Sequence, residues 1–115
     1  MKPVFIPVGI FWLFLAAQAV AHSAPEVTSP ADQSVVATLE TITIRFDNPM
    51  RITSFVLTGP DGAIDVVLPE GFDPVTEYRA APAGDPAPGN YKVDWRGLSS
   101  DGHPMQGSFG FSLEK

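Results

Sequence analysis

The sequence predicts an all-β domain: a two-sheet Greek-key sandwich or barrel of about seven short strands. Three observations carry that prediction. Apolar and polar residues alternate along several stretches, the pattern of a half-buried strand. Twelve prolines and ten glycines in 115 residues interrupt those stretches at short intervals. After residue 21 no apolar pattern of helical period extends beyond a turn or two.

Three strands read cleanly. Thr41–Phe46 turns Ile42, Ile44 and Phe46 inward, and Asn90–Arg96 does the same with Tyr91, Val93 and Trp95. Ser108–Leu113 buries Phe109, Phe111 and Leu113. Less regular strands are expected at Glu26–Thr28, Ser34–Ala37, Thr53–Thr58, Ala63–Leu68 and Val75–Ala80. Between them lie turn signals: Ser29-Pro30-Ala31-Asp32, Asp47-Asn48-Pro49, Pro69-Glu70-Gly71, and a hairpin turn at Pro60-Asp61-Gly62. The Pro- and Ala-rich segment Ala80–Pro88 is expected to be a loop. Thr43, Arg45, Lys92 and Asp94 fall on the faces turned to water.

The first 21 residues read as an export signal. A positive start at Met1-Lys2 precedes an apolar run from Val4 to Ala17, and Ala19-Val20-Ala21 supplies a small-residue cleavage site. The run is short for a membrane span, and Pro7 and Gly9 make it a poorer one. An uncleaved anchor is the alternative. Cleavage after Ala21 leaves a domain of residues 22–115, loses Lys2, and moves the net charge from −6 to −7. The expected location is the periplasm, with a soluble, monomeric mature form that has no membrane anchor.

Composition narrows the function. The chain has no cysteine, which excludes a disulfide framework, a thiolate zinc site, an iron–sulfur cluster and a blue-copper centre. Thirteen acids against seven Lys and Arg make a poor partner for nucleic acid. No glycine-rich phosphate loop is present. A serine-protease-like triad is not credible, because the only histidine away from the new terminus lies in the metal-like loop described next.

Cleavage would make His22 the first residue. Its α-amine and imidazole Nδ1 can both hold one metal ion, and an amine with a pKa near 8 gives up its proton to a metal at neutral pH. The only other histidine of the mature chain, His103, lies in Ser99-Ser100-Asp101-Gly102-His103-Pro104. Gly102 lets the chain curl so that Asp101 and His103 face one point. Three nitrogens and one oxygen form the tetragonal set that suits Cu(II). Zn(II) would want a tetrahedron, and Mg(II) or Ca(II) more oxygens. Singly, each residue reads as incidental: a residue after a cleavage site, a turn histidine, a common Asp-Gly pair. Both histidines falling in this arrangement is what points to a metal site.

Along essentially its whole mature length the chain resembles the CopC/PcoC copper-resistance proteins. The matching marks are His22 after the signal, Ser29-Pro30-Ala31-Asp32, and the strand ending at Phe46 with Pro49 just beyond. The most specific is Leu98-Ser99-Ser100-Asp101-Gly102-His103-Pro104-Met105-Gln106-Gly107-Ser108-Phe109-Gly110-Phe111. The resemblance implies an immunoglobulin-like or cupredoxin-like Greek-key fold with Cu(II) held by His22, Asp101 and His103. It implies a role in holding or delivering copper, beside a CopD-type inner-membrane partner. Two departures stand out. Some relatives carry a Met-rich Cu(I) site, whereas this mature chain has only Met50 and Met105, so no Cu(I) site is expected. Many relatives have an acid where this chain has Asn48, leaving open whether Asp47 substitutes for it.

Two other functions compete with copper handling. An N-terminal histidine brace also serves copper-dependent polysaccharide monooxygenases, but those need a flat aromatic face. Here at least five of the eight mature aromatic residues fall on core positions. The other alternative is a metal-free immunoglobulin-like scaffold module. An enzyme is not expected.

Overall fold

The computed structural model describes residues 26–115. The proposed signal segment and His22 lie outside the described residues. Eight strands make up the fold: β1 (Glu26–Ser29), β2 (Ser34–Val36), β3 (Ile42–Gly59), β4 (Gly62–Ile64), β5 (Val66–Val67), β6 (Val75–Pro82), β7 (Gly89–Ser99) and β8 (Pro104–Leu113). No helix occurs among the described residues.

The organising element is β3. Its first half pairs with β1 on one side and β6 on the other. Its second half pairs with β4 and β7, and β8 and β2 extend the sheet beyond β7. One strand therefore belongs to two layers, and the sheet folds over on itself where β3 bends. Rings meet across the fold: Phe46 on the first half lies edge-on to Trp95 of β7, with centroids 5.2 Å apart. Tyr78 of β6 faces Phe55 on the second half at 5.8 Å. Strands that change sheet through a bend are how two layers share a corner.

The alternation of apolar residues explains the path. Ile42, Ile44, Phe46, Met50 and Ile52 are buried, then Phe55 and Leu57. The inward set passes from even to odd positions because the register against β7 shifts between Ile52 and Ser54. One extra residue, Thr53, flips the strand's faces, which is what a β-bulge does. The inward sets predicted for Thr41–Phe46, Asn90–Arg96 and Ser108–Leu113 are all buried.

Three boundaries differ from expectation. Asp47-Asn48-Pro49 is not a turn between strands but an outward bend within β3. From Arg45 to Met50 the strand advances five residues while its β6 partners advance only from Glu77 to Val75. The surplus bows out into solvent, and Pro49, with no N–H to pair, fits there. The stretch Ala63–Leu68 is two strands rather than one, β4 on β3 and β5 on β6. Finally, β6 continues to Pro82, so the loop expected from Ala80 begins later. The Pro60-Asp61 turn forms as expected, with Gly59 opposite Gly62. The Ser29–Asp32 motif also has a visible purpose: the Asp32 carboxylate accepts the Gly110 N–H at 2.9 Å and ties the turn to β8.

Candidate metal centre

The loop joining β7 to β8 contains Ser100 to His103 and lies at the bend of β3. Ser99 is opposite Met50, and the Ser100 hydroxyl donates to the Pro49 carbonyl at 3.5 Å. The loop is held mainly by its own bonds. The Gly102 N–H donates to the Ser99 carbonyl at 2.8 Å, and the Ser99 N–H to the His103 carbonyl at 2.9 Å. Gly102 has φ +87°, a left-handed conformation that costs glycine little. This one residue lets Asp101 and His103 turn toward each other.

They do so at close range. His103 Nδ1 stands 2.9 Å from Asp101 Oδ2, with the two side chains 74% and 68% exposed. The other carboxylate oxygen, Oδ1, accepts the Ser99 hydroxyl and, at 3.4 Å, the His103 N–H. The Ser99 hydroxyl oxygen also accepts the His103 N–H, at 3.2 Å. These hydrogen bonds, with Ser99 first and His103 second, hold the Asp101 pKa down at about 2, from an ordinary value of 3.8. The carboxylate is thus charged throughout the physiological range.

Ser99 is the residue that sequence reasoning missed. Its spacing two residues before Asp101 was a usable signal, because a hydroxyl there can bond the following carboxylate once the loop curls. Asp47 and Asn48 sit on the exposed bend. The bend meets the loop through the Pro49 carbonyl rather than through either of those side chains. Met50 is buried and Met105 packs against the core, so both serve as filling. Among the described residues no three His, Cys, Asp or Glu side chains converge. The loop offers one carboxylate and one imidazole, and a complete site needs donors from elsewhere.

The Asp101–His103 separation suits a metal as well as a proton. Two donors each about 2.0–2.1 Å from a first-row ion and 2.9 Å from each other subtend roughly 90° at the ion. That is the angle between neighbouring ligands in a tetragonal set.

The CopC domain family matches residues 26–114 of this sequence. The chain belongs to the CopC family. The copper resistance protein C of Pseudomonas syringae pv. tomato is 31% identical over 121 aligned positions, covering 96% of this chain and 94% of that protein. Its namesake in Escherichia coli is 29% identical, over 87% of each chain. Among solved structures, PcoC of Escherichia coli, a methionine-rich copper resistance protein, superposes with a TM-score of 0.64 at 28% identity, covering 76% of this chain and 94% of that one. CopC from Methylosinus trichosporium OB3b shares the fold, with a TM-score of 0.62 at 24% identity over 80% of this chain and 94% of its own.

Proposed function

We propose that this CopC-family chain is a periplasmic Cu(II)-binding protein of copper resistance and homeostasis, and that it stores, buffers or hands on the ion. The observation that carries the proposal is the Asp101–His103 pair, set at the separation of neighbouring ligands on one ion. The names of its relatives, copper resistance proteins, support the choice of metal.

Residue 22 supplies the missing donors. Signal cleavage after Ala21 frees the His22 amine, which with its own Nδ1 occupies two neighbouring positions. Reach supports this. Glu26 pairs with Phe46, four residues before Met50, and Met50 pairs with Ser99 at the foot of the loop. Four strand residues rise about 13 Å, and the bow at Asp47–Pro49 makes the separation shorter than that. The four residue steps from Glu26 back to His22 span at most about 14 Å. The start of β1 and the loop thus lie at one end of the molecule, no farther apart than four residues can span.

Copper would be held between His103 Nδ1 and Asp101 Oδ2, in place of the contact that joins them in this structure. Neutral imidazole and amine donors with one carboxylate favour the cupric ion over softer states that want thioethers. Acid returns protons to both imidazoles and to the amine, and releases the ion. Catalysis on polysaccharides is disfavoured by the aromatic residues. Seven of the eight in the described chain are buried, and only Phe72 is exposed, at 63%. A CopD-type membrane protein is the expected recipient or donor. No helix among the described residues is long and apolar enough to cross a membrane.

The test is electron paramagnetic resonance of Cu(II) added to the chain that begins at His22. A tetragonal signal with nitrogen couplings is expected, and it should disappear when the α-amine is acetylated. An unaltered signal in the acetylated sample would defeat the proposal.

A further inference from the structure

A hollow of about 230 Å³ opens at the end of the barrel opposite the metal loop, between the Pro60 hairpin and the segment that leads from β6 to β7. Pro60, Ile64, Pro82 and Pro86 line it, with the buried Tyr91 at its base. Two close approaches give it this shape. Gly89 has φ +143°, and a Cβ there would run into the Pro60 ring. At Gly59 a Cβ would stand 2.6 Å from Ile64 Cδ1 and 2.8 Å from Tyr91 Cε2. The segment that forms one wall is tied at both ends. The Ala83 N–H donates to the Asp65 carbonyl at 2.9 Å, and the Tyr91 hydroxyl donates to the Ala87 carbonyl. Proline rings and tied ends leave little to order when a guest enters.

The mouth of the hollow is charged. Asp61 and Asp85 both belong to its lining. Burial pushes the Tyr91 hydroxyl's pKa up; the Lys115 ammonium draws it down, and the Asp61 and Asp85 carboxylates each push it up. Three charges, two of them negative, therefore stand around one opening. Lys115 Nζ meets Asp85 at 2.8 Å, whereas Asp61 has no ion-pair partner among the described residues. An apolar floor under an acidic rim is complementary to a side chain with an apolar stem and a cationic head. Lysine and arginine are built that way: they lay their methylenes on apolar surface and keep the charge in water.

We propose that this hollow docks a basic partner protein: one lysine or arginine of the partner lays its stem over Ile64 and Tyr91 between the prolines and sets its head against Asp61 and Asp85. Size fits a single side chain, since sites that enclose drug-sized ligands run to about 300–1,000 Å³. The chain already shows half of the arrangement in its own Lys115, an ammonium seated on Asp85. That residue competes with the guest for one of the two acids. A net charge of −6 favours encounter with a basic surface. The eleven-residue β7 separates the hollow from the Ser99–His103 loop by about 33 Å, so a partner held here leaves the loop uncovered. The proposal does not depend on the copper site.

The experiment is an amide and methyl NMR titration of the metal-free chain beginning at His22. The probes are Nα-acetyl-arginine amide and Nα-acetyl-lysine amide, with Nα-acetyl-norleucine amide for the stem without charge and guanidinium chloride for the charge without stem. The two cationic amides should shift Gly62, Ala63, Gly84, Ala87 and the Ile64 methyls, with dissociation constants in the millimolar range that rise with salt. Norleucine amide and guanidinium should bind at least about threefold more weakly. Asp61→Asn and Asp85→Asn should each weaken the arginine probe about threefold, and Lys115→Gln should strengthen it about twofold by freeing Asp85. All three residues are exposed, so the variants should keep the wild-type fold and melting temperature. Guanidinium or norleucine amide binding as well as the arginine probe overturns the proposal. So do shifts that fall outside the hollow, or an affinity indifferent to Asp61→Asn. Benzylammonium binding more tightly than the arginine probe would give the hollow to a small organic cation and remove the partner protein.

Discussion

The two ends of this barrel are built on different principles. At the far end from the metal loop, apolar packing does the holding. The tight turn of Pro60 and Asp61 closes β3 onto β4, and Tyr91 stacks on Phe111 with centroids 5.7 Å apart. The Tyr91 hydroxyl donates to the Ala87 carbonyl, and Lys115 pairs with Asp85 at 2.8 Å. At the other end, Ser99, Asp101 and His103 are joined by polar bonds in water, and none of them is buried. Exposed ion pairs and hydrogen bonds contribute little to stability. On the proposed function the contrast separates two tasks: one end keeps the fold closed, and the other would hold donor atoms where an ion can reach them.

If the division is real, changes at one end should leave the other's property alone. The largest effect belongs to the donors. Acetylating the His22 amine, or His103→Ala, should weaken Cu(II) binding on the order of a hundredfold or more by titration calorimetry, because each breaks the link between arm and loop. The metal-free melting temperature should hardly change. Leu57→Ala is the converse. Leu57 is fully buried beside the Pro60 hairpin, and its truncation should cost about 2–5 kcal/mol in denaturant unfolding with copper affinity of the folded protein unaltered. If Leu57→Ala weakens copper binding as strongly as His103→Ala, the ends are not separate.

A finer test uses pH. The Asp101 pKa is about 2 in the fold and near 3.8 when its partners are absent. The depressed value means that its favourable contribution is complete above about pH 4 and fades as pH falls toward 2. Carbon-detected NMR titration of the Asp101 carboxyl should show that low midpoint, and Ser99→Ala should raise it, since Ser99 is the main cause. A midpoint that ignores Ser99 would remove the hydroxyl from the site. The smallest effect is expected of Tyr91→Phe, which deletes one hydrogen bond at the far end. It should cost about 1 kcal/mol and leave copper affinity unchanged.

Much of this was legible in the sequence, but unevenly. The inward sets of β7 and β8 could be read because each strand keeps one register along its length. For β3 only the first half could be read, with Ile42, Ile44 and Phe46 inward; the bulge at Thr53 and the bow at Asp47–Pro49 are responses to having different partners on each half. Nothing local announces that, and Asn48-Pro49 resembles a turn to any local reading. Asp101 and His103 were visible because a single glycine separates them and their geometry is local. The closeness of Phe46 to Trp95 was not, since it depends on the first half of β3 folding over onto β7.

The ten-residue β8 starts beside the metal loop at Pro104 and ends at Leu113, about 30 Å along the strand direction. Lys115 follows at the Tyr91 end, paired with Asp85. A dye or surface linker coupled to the Lys115 amine would forfeit one exposed ion pair and leave the proposed copper-binding end unencumbered. The molecule thus comes with a natural handle for a copper sensor, provided that its amino terminus is left bare.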